Sequence, residues 1–155
     1  MGEFQIRPAR AQEADALSAL CRRSKAHWGY DAAFMRASEP SLTVSSDLIA
    51  RGRVLVAHDD TGVAGVASVD ALERQDEYDL VHLFVEPDRM KRGVGRALFG
   101  AAVALARREG ASRLVILSDP QAREFYERLG ARCVGDAPSD AIPGRRLPLL
   151  HYALA

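Results

Sequence analysis

Lys91-Arg92-Gly93-Val94-Gly95-Arg96 sets two glycines among three cations, just after an apolar strand and at the head of an amphipathic helix. That order suits an anion. The first N–H groups of a helix have no intrahelical acceptor, and the helix carries partial positive charge at that end. Glycine at 93 and 95 removes the side chains that would hold a ligand away from those donors, while Lys91, Arg92 and Arg96 add full charge around them. Strand, glycine turn and helix N-terminus together form a cradle for a phosphate or pyrophosphate. A short Gly-x-Gly also occurs at turns for packing alone, so its surroundings must decide.

The elements that position the cradle are well marked. Val94, Ala97, Leu98, Ala101, Ala102, Leu105 and Ala106 recur at three- and four-residue steps and predict a helix with one apolar stripe. Arg107 and Arg108 suit its C-terminal dipole, and Gly110 suits a left-handed stop. Residues 78–85 read as the strand leading in, with Pro87 at the turn. Residues 112–118 form a continuous apolar run, expected as a central strand covered on both faces. Asp119 and Pro120 predict the N-cap and first position of a helix over 121–129 that stops at Gly130.

Further strands are expected at 3–7, 53–58, 63–72, 131–135 and 147–154, with 136–146 as loop. Asp59 to Gly62 reads as a hairpin turn, and Gly65 as a close approach to a neighbouring backbone. A helix is expected over 11–25, a short one capped by Asp31, and another near 46–51. Trp28, Tyr30 and Phe34 crowd into seven positions. They are either a core seam between two helices or a wall of a binding pocket.

At 155 residues the chain is expected to form one domain with a normal core. Lys plus Arg and Asp plus Glu balance at 21 each, so no global field favours nucleic acid or an acidic membrane, and any anion site must be local. Cys21 and Cys133 lack metal-ligand spacing and read as small buried residues of a reducing compartment. No metal site is expected. No run approaches the length of a membrane span, and the N-terminus does not read as a signal peptide, so a cytoplasmic location is expected.

The wider pattern resembles the GNAT superfamily of acetyl-CoA-dependent N-acetyltransferases. That family has Arg/Gln-x-x-Gly-x-Gly/Ala after a strand ending Val-x-Pro; here Val85-Glu86-Pro87 precedes Gly93 and Gly95 at the family's spacing, with Met90 at the Arg/Gln position. Arg89, Lys91 and Arg92 stand ready to supply the missing charge. The segment SDPQAREFYERLGA is similar to a second family motif, matching at Ala122, Phe125, Tyr126 and Gly130, with Asp119 where the family has Asn. The resemblance spans nearly the whole chain. It implies an α/β (α+β) fold: a mixed, mostly antiparallel sheet of about six to seven strands flanked by about four helices. The sheet would splay into a cleft that holds acetyl-CoA.

By the same resemblance, Leu83, Phe84 and Val85 form the strand edge along the pantetheine arm, with Asp119 and Phe125 beside it. Lys91, Arg92, Gly93, Val94, Gly95 and Arg96 hold the pyrophosphate. Because Asp119 cannot donate when ionised, N-capping is its other expected role. Trp28, Tyr30 and Phe34 fall where relatives border the acceptor pocket. Tyr126 falls where relatives protonate the departing thiolate, and a phenol with a pKa near about 10 is a reliable donor at neutral pH. The attacking amine also needs a base. Asp79 stands where relatives carry one, and His82 has a pKa suited to proton transfer. Strict alternation places these two on opposite faces unless a bulge intervenes, which makes them competitors. Glu73, Glu77, Glu86 or a water relay are the remaining choices. Arg145 and Arg146 read as a solvated turn, an acceptor-carboxylate site, or a contact to a partner subunit in a homodimer.

The function expected is transfer of acetyl from acetyl-CoA to a primary amine of a small or amino-acid-like molecule, by direct attack in a ternary complex. An acyl-CoA sensor without turnover is the alternative. A nucleotide module fits poorly, because the Gly-Lys-Ser/Thr ending and paired βαβ halves are missing.

Overall fold

Alternating apolar residues, joined by a two-residue turn between Asp59 and Gly62 and by longer connections elsewhere, produce a seven-stranded sheet ordered β1-β2-β3-β4-β5-β7-β6. The computed structural model describes residues 3–74 and 76–154. The strands are β1 Gln5–Pro8, β2 Val54–Asp59, β3 Gly62–Ala71, β4 Glu77–Val85, β5 Arg113–Leu117, β6 Arg132–Pro138 and β7 Arg146–Ala153. The α-helices are α1 Ala14–Ala26, α2 Ala32–Leu42, α3 Ser46–Ala50, α4 Val94–Arg108 and α5 Arg123–Arg128. The mixed, mostly antiparallel architecture is the one expected. Among the described residues no helix is long and apolar enough to cross a membrane.

The sheet carries a core on each face. On one side the stripe of α4 (Leu98, Phe99, Ala102, Ala106) packs on Ala67, Val69, Leu114 and Ile116. Gly65 admits that helix: a Cβ there would stand 2.8 Å from Leu98 Cδ1 and 3.0 Å from the Phe84 carbonyl oxygen. On the other side Leu17, Leu20 and Cys21 of α1 meet Leu42, Val44, Val54, Val56 and Val66. Gly110 stops α4 with φ +91°, the left-handed conformation that suits glycine.

Two irregularities position the site. First, β4 and β5 pair in parallel only at Glu77↔Arg113, Tyr78↔Leu114 and Asp79↔Val115. Beyond Asp79 the strands part, and β5 continues on β7 alone. Second, Ser68 pairs with His82 while Val69 pairs with Leu80, which leaves Val81 as a bulge in β4. Paired residues point the same way, and Ser68 and Asp70 lie two apart. Asp79, opposite Asp70, therefore shares a face with His82, and strict alternation fails here.

Several sequence expectations are corrected. α2 is longer than expected, because Pro40 falls in its last turn, where its missing N–H interrupts little. β6 runs on to Pro138, so the loop is confined to 139–145. β5 is buried on one face only: Leu114 and Ile116 are covered, Val115 and Leu117 half-covered. Cys133 is also only half-buried. Pro120 opens a 3-10 turn, Pro120–Ala122, ahead of α5, and the Asp119 side chain does not cap it.

Candidate active site

The head of α4 is built from backbone. Lys91 (φ +65°) and Gly93 (φ +83°) both adopt left-handed conformations, turning the chain so that Val94 begins the helix with no side-chain cap on its free N–H groups. Val94 is 2% exposed and buries its side chain in the core, so only its backbone faces outward. A Cβ on Gly93 would meet nothing within 4 Å, whereas one on Gly95 would stand 3.3 Å from Phe125 Cζ and 3.7 Å from Val85 Cγ2. Gly93 thus borders open space, and Gly95 lets Phe125 close over the first turn. Lys91, Arg92 and Arg96 are exposed, and none forms an ion pair among the described residues. Arg89 is spoken for. Its guanidinium, 13% exposed, binds Asp59 at 3.2 Å and the Thr61 hydroxyl, so it does not replace the charge missing at Met90.

Where β4 and β5 part lies a cavity of about 170 Å³. Leu80, Val81, Leu83 and Phe84 wall one side and Ile116, Leu117 and Ser118 the other; α1 and α2 contribute Lys25, Ser38, Ser41 and Leu42. Asp79, Asp119, Tyr126, Asp140 and Arg145 also reach it.

Asp79 and Tyr126 meet in this cavity in opposite protonation states. Burial, reinforced by the charges of Asp140 and Asp70, pushes the Asp79 carboxyl up to about 6. It is still mostly ionised at neutral pH and so is able to accept a proton. The Tyr126 ring packs against Phe99 and Phe125, and burial, with a smaller effect from Asp119, raises its phenol above the ordinary value. Tyr126 therefore keeps its proton and can donate it.

His82 stands off the cavity and is 3% exposed. Its Nδ1 lies 2.6 Å from Ser68 Oγ, and its Nε2 has no hydrogen-bond partner beside the backbone of Ser41 and Thr43. Burial lowers its pKa to about 4, so the imidazole is neutral at physiological pH. The bulge brings Asp79 and His82 to one face, but only Asp79 opens into the cavity. Among the other carboxylates, Glu86 is held by Arg23 at 3.0 and 2.5 Å and Glu77 by Arg113 at 2.7 Å. Glu73 is exposed. None of the three lines the cavity.

None of Trp28, Tyr30 and Phe34 lines the cavity directly. Trp28 is 50% exposed, edge-on to His27. Tyr30 stacks on Phe34 at 4.0 Å between centroids, and this pair backs two cations that do reach the cavity. Lys25 Nζ lies 5.4 and 5.6 Å from the two ring centroids, and the Arg145 guanidinium carbon 5.4 and 4.9 Å. Lys25 bonds both Asp119 oxygens at 2.9 Å, which accounts for the Asp119 carboxylate. Arg146, by contrast, pairs with Asp136 outside the cavity, so the adjacent arginines divide between two roles. Lys25, Ser38, Ser41 and Asp140 were not singled out from the sequence. They are brought to the cavity from distant segments, and no local spacing marks them.

Comparison with known proteins agrees with this arrangement. A family profile described as an acetyltransferase (GNAT) domain matches residues 50–130, more than half of the chain. No curated protein matches in sequence. The fold is similar to PaiA N-acetyltransferase from Thermoplasma acidophilum, in complex with coenzyme A: TM-score 0.78, 14% identity, covering 97% of this chain and 99% of that one. It is also similar to a GCN5-related N-acetyltransferase from Rhodopseudomonas palustris, at TM-score 0.77 and 23% identity over 99% and 97%. A GNAT family acetyltransferase from Brucella melitensis, in complex with acetyl-CoA, matches at TM-score 0.68 and 20% identity over 99% and 89%. With a glycine cradle heading α4, a sheet that parts beside it and a matching profile over the segment that builds both, the chain belongs to the GNAT acetyltransferase family.

Proposed function

We propose that the chain transfers the acetyl group of acetyl-CoA to the amine of a small molecule by direct attack in a ternary complex. The observation that carries this reading is the common cavity of Asp79 and Tyr126, opening where β4 leaves β5. The residues present fit the cosubstrate. Gly93 borders open space, the first N–H groups of α4 are uncapped, and Lys91, Arg92 and Arg96 carry unpaired charge for a pyrophosphate. The gap beyond Asp79 leaves one edge of Leu83, Phe84 and Val85 without a strand neighbour, which suits an extended pantetheine arm and polarisation of the thioester carbonyl by a backbone N–H. Neighbouring folds bind coenzyme A or acetyl-CoA.

Asp79 serves as the base that takes the proton from the attacking amine, directly or through water. Tyr126 serves as the acid that gives a proton to the departing CoA sulfur. His82 is too costly to charge where it sits and instead holds β4 to β3 through Ser68. The test is an amine panel read by free thiol released from acetyl-CoA, with a thermal-shift titration of CoA alongside. Amine-dependent thiol release is expected. A CoA-dependent rise in Tm without release from any amine would instead support an acyl-CoA sensor. No rise at millimolar CoA would remove both.

A further inference from the structure

The charges in the cavity fall into two groups. The charges bearing on Asp79 are those of Asp140, which also lines the cavity, and of Asp70, which lies outside it and is paired with Arg51; on the cavity side its surroundings are acidic. Lys25, Asp119 and Arg145 form the second group, in which two cations share one carboxylate. Asp119 is engaged through both oxygens by Lys25, and Arg145 stands 3.9 Å from it.

Arg145 is the incomplete member. A guanidinium has five N–H donors, and this one gives a single hydrogen bond, to the Tyr30 hydroxyl at 3.2 Å. Its side chain is only 21% exposed and lies against the faces of Phe34 and Tyr30. The remaining donors are left free by the protein and stay open to the cavity, where a ligand can take them up. Nor is Arg145 a wandering surface arginine. The Ser139 N–H donates to the Arg145 carbonyl at 2.8 Å, the Arg145 N–H donates to the Ile142 carbonyl at 3.2 Å, and Ser139 Oγ accepts from Ala141 and Ile142 at 3.1 Å each. The loop is closed by its own bonds and presents the guanidinium fork to the cavity. Planar oxyanions are the ligands that such a fork matches.

We infer that the acceptor is an amino acid or closely related amino carboxylate, its carboxylate held by Arg145 with Lys25 and its amine directed to Asp79. This inference rests on the acetyltransferase reading and narrows its acceptor. An amine enters an acidic environment that favours it, and the carboxylate completes the cationic one. A simple alkylamine would fill the first and leave Arg145 unsatisfied.

The test uses matched acceptors that differ in one charge: glycine, L-alanine, β-alanine and L-glutamate, each beside the carboxamide that replaces the carboxylate nearest the amine. The carboxamides of the α-amino acids have the less basic amine and so the larger unprotonated fraction at pH 7, and any preference for those acids opposes intrinsic reactivity. For at least one pair, kcat/KM for the acid should exceed that for the amide by about tenfold or more. Arg145→Gln should bring the ratio near one, chiefly by raising KM for the acid, while the Kd for CoA stays unchanged. Arg145→Lys should recover part of the ratio by keeping charge without the fork. Amides used as well as acids by the wild type would overturn the inference and leave the acetyltransferase reading intact, as would a ratio unaltered in Arg145→Gln. Absence of thiol release from every pair, with CoA still raising Tm, would overturn it as well. Absence of the CoA shift would bring down both readings.

Discussion

The cradle draws nearly all its parts from one unbroken segment and offers chiefly backbone, whereas the acceptor cavity gathers Lys25, Asp79, Asp119, Tyr126 and Arg145 from separate elements and offers side chains. The difference has a chemical logic. A pyrophosphate is the same for every enzyme of this kind, so helix N–H groups, which no substitution removes except proline, can hold it. Met90 is tolerable for that reason. The acceptor end must recognise one molecule among many, and side chains from several elements can be exchanged one at a time to do so.

Four substitutions test that division, taken from the largest expected effect downward. Asp79→Asn removes the base while keeping its shape, and kcat should fall by about a hundredfold to ten-thousandfold with CoA affinity unchanged. In the wild type kcat/KM should decline as pH falls through about 6, because protonation disables the carboxylate, and this limb should vanish in the variant. A limb that survives in Asp79→Asn assigns the base elsewhere. Tyr126→Phe should lower kcat by about ten- to a thousandfold, since a thiolate is already a fair leaving group. Binding of CoA should barely change, and full turnover in this variant would discard Tyr126 as the acid.

Gly95→Val acts at the other end. Its side chain would press on Phe125 and disturb the first turn of α4, and CoA should bind about a hundredfold more weakly, with a circular dichroism spectrum like the wild type. Normal CoA affinity would place the anion site elsewhere. The smallest effect concerns stability. His82 is near 4 in the folded chain and about 6.5 when unfolded, so the unfolded state takes up the proton first. Its contribution is complete above about 6.5 and is lost as pH falls towards 4, an effect of roughly 3 kcal/mol. Asp79 works in the opposite sense over an overlapping range, because its raised pKa makes the folded state bind the proton more tightly. The comparison must therefore be made between wild type and His82→Gln, whose stability gap, from urea titrations, should narrow between pH 7 and pH 4. A constant gap would show that His82 does not resist protonation.

The same division governs how much could be read from the sequence. The α4 stripe, the glycines and the left-handed stop at Gly110 are local signals, and the structure carries them where expected. The second motif led to Tyr126 and counting back from the glycines led to Asp79, and both line one cavity. The bulge at Val81 was not, because nothing in a run of apolar strand residues marks which one is looped out. Trp28, Tyr30 and Phe34 were noticed as a cluster, with core seam and pocket wall both left open, and none of them lines the cavity. Tyr30 and Phe34 back Lys25 and Arg145, and that depends on a loop more than a hundred residues downstream. The Lys25–Asp119 pair escaped for the same reason, and so did the fate of Arg89, which a hairpin turn claims.

The short ladder between β4 and β5 also has a mechanical consequence. Only three residue pairs couple the first four strands to the last three within the sheet. Each leaf has its own antiparallel ladder, and the two are otherwise tied through α4, the apolar core it shares with both, and the ion pairs across the cleft. A chain-like ligand lying in the gap would take hydrogen bonds from the vacant edge and act as a missing strand. The molecule bound for its chemistry would then also be a structural strut between the two leaves.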